Sequence, residues 1–213
     1  MGGMAKSEAW PCVASLPTTH HLTHYLNRNH TTSLLYRYRK EKTMALNKQT
    51  SPVAVVMGSD SDLPLMQSCI DQLKDFGITP IVRIISAHRT PDVAADFADN
   101  AAKNGIKVII AAAGMAAHLA GALAGRTTLP IIGVPLAAAE GPAGLDALLS
   151  TVQMPPGVPV AAMAIGKAGA KNAAIFAVQI LALSDDKLAK KLADFRKSQS
   201  QKVIEKDKAQ QKS

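Results

Sequence analysis

The sequence predicts an α/β fold: a parallel sheet with helices on both faces and one extra helix at the C-terminal end. Three observations carry this. Short runs that are almost wholly apolar recur from Val53 onward, and such runs mark strands buried on both faces. Segments with helical spacing separate them, so each crossover can return the chain parallel. Turn signals rich in Gly, Ser, Asp and Pro punctuate the alternation. The pattern is that of a three-layer, doubly wound sheet, flavodoxin-like or Rossmann-like.

The elements follow in order. Val53–Met57 is the first strand, and Gly58-Ser59-Asp60-Ser61-Asp62 is a polar turn. Leu63–Phe76 is a helix, with Leu65, Cys69, Leu73 and Phe76 on one stripe and Gly77 to end it. Ile81–Ile85 is the second strand, and Pro91 opens a helix that Gly105 closes after Asn104. Val108–Ala112 is the third strand, Gly114 starts a loop, and Ala116–Gly125 is a helix. Pro130–Val134 is the fourth strand, followed by a looser stretch, Leu136–Gly144, and a short helix near Leu145–Val152. After the turn Pro155-Pro156-Gly157, Val158–Ile165 is a fifth strand and Ala168–Leu183 a helix. Asp185–Gln199 is the last helix, with Leu188, Leu192 and Phe195 on one stripe. That stripe appears after the sheet is already covered, so it must pack on its own domain or on another subunit. A homo-oligomer is the expectation.

Length and charge bound the organisation. The chain has 213 residues, enough for one domain with tails. Its net charge of +8 is uneven: residues 1–43 contribute +4, residues 196–213 contribute +4, and residues 44–195 balance to zero. The basicity lies in the two ends, which argues against a nucleic-acid-binding face on the body. Residues 1–43 hold all three Tyr, the single Trp and four His (His20, His21, His24, His30), with no persistent period. They read as a disordered leader or as upstream sequence from an early start, with Met44 a natural start. An Arg-bearing, acid-poor segment is also compatible with a transit peptide, whereas a secretory signal lacks its apolar region. Residues 44–199 are expected to form the flavodoxin-like domain that carries any chemistry, and residues 200–213 a charged flexible tail.

Cys12 and Cys69 lie far apart and form neither a disulfide framework nor a metal pair. A reducing compartment fits. Val108–Gly125 runs 18 residues without a charged side chain, but Gly114 and His118 interrupt it. A buried strand and a small-residue helix explain it better than a membrane span.

In a parallel sheet the loops after the first three strands converge on one edge. Here they read Gly58-Ser-Asp-Ser-Asp62, Ser86-Ala-His-Arg-Thr90 and Gly114-Met-Ala-Ala-His118. They hold hydroxyls, carboxylates, an Arg and the only two His of the body. The first loop reads either as an anion cradle at a helix N-terminus or as plain capping by Ser61 or Asp62. Asp62 suits a ribose hydroxyl. His88 exchanges protons near neutral pH, and Arg89 beside it offers a planar fork for phosphate or carboxylate. The bland alternatives are a loop histidine bonded to backbone and a surface salt bridge. His118 points either to the site or into the core as a buried helix histidine. Lys167 and Lys171 read as surface charge at a helix start. No Gly-x-Gly and no P-loop occurs, which argues against NAD and ATP hydrolysis. From residue 44 onward no His-x-x-x-His occurs, and Cys-x-x-Cys occurs nowhere, so no metal site is expected.

Eight stretches carry a family resemblance: Val-Met-Gly-Ser-Asp-Ser-Asp (56–62), Ser-Ala-His-Arg-Thr-Pro (86–91), Ala-Ala-His-Leu (116–119), Pro-Ile-Ile-Gly-Val-Pro (130–135), Gly-Leu-Asp-Ala-Leu (144–148), Val-Gln-Met-Pro (152–155), Gly-Val-Pro-Val (157–160) and Ala-Ile-Gly-Lys-Ala-Gly-Ala (164–170). In this order, from Val53 to Gln199, the chain resembles the bacterial N5-carboxyaminoimidazole ribonucleotide mutases of purine biosynthesis. The resemblance implies movement of a carboxyl group from a ring-attached nitrogen to carbon 4 of the imidazole, without metal or organic cofactor. It implies that His88 is the proton shuttle, that Ser61, Ser86 and Arg89 hold the phosphate, and that Asp62 takes the ribose hydroxyls. Ser59 would sit near the migrating carboxylate, and Gly114 through His118 would frame the base. It also implies a cytoplasmic homo-octamer, working with an ATP-dependent synthase that makes its substrate. Departures are Met115 in place of Gly, Ala120 in place of Pro, and an altered stretch at residues 136–143.

The nearest alternative is direct carboxylation of aminoimidazole ribonucleotide by carbon dioxide. Relatives of that kind carry Lys after the loop His and Arg-Ser-Asn in the third loop, so Arg89 and Ala116-Ala117-His118 favour the mutase. An alternative of another class is a flavodoxin-like flavin- or nucleotide-binding module. The lack of Trp and Tyr from residue 53 onward leaves it without the rings that often stack on a flavin.

Overall fold

Five parallel strands form one sheet in the order β2-β1-β3-β4-β5. In chain order they are β1 (Val53–Met57), β2 (Ile81–Ile84), β3 (Val108–Gly114), β4 (Ile131–Leu136) and β5 (Ala161–Ala162). The helices are α1 (Leu63–Asp75), α2 (Pro91–Ala101), α3 (Leu119–Ala124), α4 (Leu145–Val152), α5 (Gly166–Ala182) and α6 (Asp186–Gln210). This computed structural model describes residues 50–139 and 141–211. The expectations for residues 1–43 and for Met44 as a start lie outside the described residues.

The order 2-1-3-4-5 is that of the flavodoxin-like doubly wound sheet, whose switch point falls between β1 and β3. Every neighbouring pair is parallel, with Val55 opposite Ile110 across β1 and β3 and Ile110 opposite Ile132 across β3 and β4. All five residues of β1 are buried, as a central strand covered on both faces requires. Alternate residues serve alternate layers. Val53, Val55, Met57, Val108 and Ile110 join Met66, Cys69 and Leu73 of α1 and the alanines of α5 in one core cluster. Helix α5 buries Gly169, Ala170, Ala173, Ala174 and Ala177, small residues that let it lie close to the sheet and α1. Burial pushes the Cys69 thiol up to about 12, so this cysteine is a core residue rather than a reactive one.

The last helix shows which way its apolar stripe turns. Leu188, Leu192 and Phe195 pack against the core of their own domain. Phe195 meets Phe76 edge-on with ring centres 5.3 Å apart. Lys191 Nζ donates to the Phe76 carbonyl at 2.7 Å, a cation at the C-terminal end of α1, where the helix dipole favours it.

Several boundaries differ from the sequence reading. The flexible tail placed at residues 200–213 is corrected as far as Gln210, because α6 continues to that residue. No Gly or Pro follows Gly169, so no residue breaks the helix, and side-chain pairs four apart such as Gln201–Glu205 (3.1 Å) support it. Strand β5 shrinks from Val158–Ile165 to two residues. Pro159 has no N–H to give, and only one further bond, from Met163 N to the Gly133 carbonyl (2.8 Å), extends the pairing. Strands β3 and β4 each run two residues further than expected, through pairs Ala113–Pro135 and Gly114–Leu136. Helix α3 starts at Leu119 rather than Ala116. Strand β2 is an edge strand, and Val82 and Ile84 are exposed.

Candidate active site

The first loop closes on itself. Ser59 lies in extended backbone and caps a single 3-10 turn, Asp60–Asp62, that leads into α1. Its hydroxyl accepts from Ser61 N (3.3 Å), and its own N–H donates to Asp62 Oδ2 (3.0 Å). This reciprocal pair is a capping box. Capping is therefore present, but Ser59 makes it with Asp62, and Ser61 does not. Ser61 Oγ donates to Ser59 Oγ at 2.9 Å. Asp62 is half-buried, and that burial raises its carboxyl pKa, with the charge of Asp60 adding to the rise. The N–H groups of Ser59 and Gly58 pull it the other way.

The second loop is clasped by Thr90. Its hydroxyl donates to the Ser86 carbonyl (2.9 Å) and accepts from Ser86 N (3.0 Å), while Thr90 N also donates to the Ser86 carbonyl (2.9 Å). Arg89 N donates to Ser86 Oγ at 3.1 Å. Pro91 then starts α2 with its fixed φ, at a position where no N–H is needed. The turn leaves His88 and Arg89 exposed and projecting from the sheet edge.

Two contacts join the loops. Arg89 Nη2 reaches the Gly58 carbonyl at 3.4 Å, tying the second loop to the first. His88 Nε2 lies 2.9 Å from His118 Nδ1, with the rings nearly perpendicular and 5.0 Å apart. That contact ties the second loop to the third. One nitrogen must donate and the other accept, so the donor role of one ring sets the acceptor role of the other. His118 is exposed, which corrects the reading of a buried helix histidine.

Between the loops lies a cleft of about 730 Å³. Ser59, Ser61, Asp62, Ser86, His88 and Arg89 supply a polar side. Gly114 and His118 also line it. All the residues expected at the site thus reach one cavity at the β1/β3 switch point. Lys167 and Lys171 do not line it; both are exposed. Among the described residues, no group of three or more His, Cys, Asp or Glu is placed to hold a metal ion.

The sequence reading missed a support of this cleft and one of its walls. Thr90 was passed over, although a Thr four residues after Ser86 and directly before Pro is a local backbone clasp. Leu136 and Ala137 to Ala139 form an apolar wall within what reads as a looser stretch. They carry no functional group that could have marked them.

The third loop holds a strained residue. Met115 has φ 56, a left-handed conformation that costs an L-residue about 1–2 kcal/mol. Its side chain lines the cleft and is 63% exposed. Gly114 just before it could not carry a side chain freely, because a Cβ there would lie 3.1 Å from the Leu136 carbonyl oxygen.

Comparison with known proteins places the chain in a family. The family model described as AIR carboxylase matches residues 52–202. The chain belongs to the AIR carboxylase family. Among its relatives is the N5-carboxyaminoimidazole ribonucleotide mutase of Escherichia coli K12, 48% identical over 162 residues, which cover 76% of this chain and 95% of that protein. The mutase of Bacillus subtilis strain 168 is 50% identical over 153 residues, 72% of this chain and 94% of that protein. A crystal structure of Treponema denticola PurE superposes with a TM-score of 0.66 at 32% identity, over 73% of this chain and 96% of that one. The matched region of this family member takes in all three loops and the whole sheet.

Proposed function

We propose that this protein is an N5-carboxyaminoimidazole ribonucleotide mutase acting in purine biosynthesis. The observation that carries the reading is the His88–His118 pair, facing the Ser59–Asp62 loop across one cleft, in a chain about half identical to proteins of that name.

The chemistry needs one proton given and one taken. The carbamate nitrogen–carbon bond breaks, its electron pair stays on nitrogen, and nitrogen gains a proton as carbon dioxide leaves. Carbon 4 then bonds to carbon dioxide and loses its own proton. His88 gives the first proton and takes the second, so the imidazole ends as it began. His118, hydrogen-bonded to it, holds the ring. Arg89, Ser86 and Ser61 bind the phosphate, with the guanidinium as the fixed charge. Asp62 accepts from ribose hydroxyls, Ser59 lies by the migrating carboxylate, and Gly114 to His118 flank the base. No step calls for a metal or an organic cofactor.

A homo-octamer and a cytoplasmic setting belong to the same reading. Leu145, Leu149 and Val152 on α4, with Val82 and Ile84 on β2, leave apolar side chains exposed, which supports association with further copies. No helix among the described residues is long and apolar enough to cross a membrane. The substrate is an unstable carbamate, so an ATP-dependent synthase that forms it is the expected functional partner.

The test compares two substrates. The protein should convert N5-carboxyaminoimidazole ribonucleotide to the 4-carboxy product far faster than it carboxylates aminoimidazole ribonucleotide at low bicarbonate. Equal or reversed rates would favour the direct carboxylase and overturn the mutase reading.

A further inference from the structure

Met115 pays for a left-handed backbone (φ 56) without burying its side chain, which is 63% exposed. Packing in the core therefore does not explain why a long side chain stands there. Strain of this kind that persists in a site points from the outlier to a use. The surroundings indicate which use. Met115 lines the cleft three residues before His118, on the side where Leu119, Leu136 and Ala137 to Ala139 make an apolar wall. A thioether chain with three rotatable bonds can fill an irregular apolar space.

We propose that Met115 is a retention residue, whose side chain folds over the base end of the cleft and holds carbon dioxide between bond cleavage and bond formation. The inference rests on the mutase reading. Carbon dioxide is small and uncharged, so the polar side of the cleft gives it little to bind. What keeps it is exclusion of water and a blocked exit. Leu136 and the three alanines form one wall of that exit, and Met115 supplies the only long flexible side chain on the third loop.

The experiment follows the carboxyl carbon. Substrate with a 13C carboxyl group is mixed with excess enzyme in unlabelled bicarbonate, with carbonic anhydrase present, and quenched within a single turnover. Mass spectrometry gives the fraction of product that kept its label. Met115→Ala and Met115→Gly should lose label about fivefold more often than the native protein, equivalent to about 1 kcal/mol of escape barrier. Met115→Leu, which keeps the bulk, should retain label as the native protein does. The fraction is a ratio within each protein, so a slower variant is still read correctly. Equal retention in the native, Ala and Gly proteins would overturn the inference and leave the mutase reading standing. Loss by Leu equal to that by Ala would also overturn it. Failure of the native protein to convert the substrate would remove the mutase reading and this inference with it.

Discussion

Replacing Thr90 with Val keeps the shape of the side chain and removes its hydroxyl. In the structure that hydroxyl makes two hydrogen bonds to Ser86, at 2.9 and 3.0 Å. The site is exposed, so water replaces both partners, and each bond is worth the low end of a net hydrogen bond. The expected loss of stability is about 1 kcal/mol in total, or a fall in Tm of about 2–4 °C for a domain of this size. The expected loss of activity is larger. The clasp fixes the turn that carries His88 and Arg89, and a displacement of about 1 Å at a reacting group can cost about 100-fold. Thermal unfolding and steady-state turnover of the Val variant, beside Thr90→Ser, read both effects. The Ser variant should recover most of the activity. A Val variant within about twofold of native kcat/KM would refute the reasoning, because the loop would then hold its catalytic geometry without the clasp.

Other outcomes follow from the same geometry. Arg89→Ala should raise KM for the nucleotide much more than for its dephosphorylated form, measured by comparing the two substrates; an equal rise in both would place the guanidinium elsewhere than on phosphate. Asp62 has a folded-state pKa raised above 3.8 by burial, so the folded protein binds this proton more tightly than the unfolded chain. Stability from this group is therefore greatest below 3.8 and falls as pH rises through the raised value. The stability of Asp62→Asn minus that of the native protein should grow across that window and then level off in urea unfolding; a flat or shrinking difference would contradict the burial argument. Met115→Gly should raise Tm, since glycine adopts the left-handed backbone without the cost borne by an L-residue; an unchanged or lower Tm would show that the φ is not a source of strain.

Much of the fold was legible because its signals are local and redundant. Val53–Met57 is apolar at every position, and Leu145–Val152 lies between Gly144 and the Pro155-Pro156-Gly157 turn. The convergence of three loops at the sheet edge followed from parallel order alone. What escaped the sequence depended on partners far along the chain. Strand β3 reaches Gly114 only because β4 supplies Leu136 opposite it. The charged stretch after Gln199 carries no buried stripe, yet nothing in it stops α6. The bond between His88 and His118 spans 30 residues, a pairing that spacing could suggest but not fix. The left-handed backbone at Met115 is invisible in its residue type, since glycine is the usual marker of such a position.

The central claim is that His88 moves both protons of the carboxyl transfer. Single-turnover kinetics of His88→Asn, with circular dichroism to check the fold, tests it most directly. The account predicts a native spectrum, substrate still bound through Arg89 and Ser86, and turnover reduced by about 100-fold to 10,000-fold. A folded variant that binds substrate and turns it over at a near-native rate would contradict it.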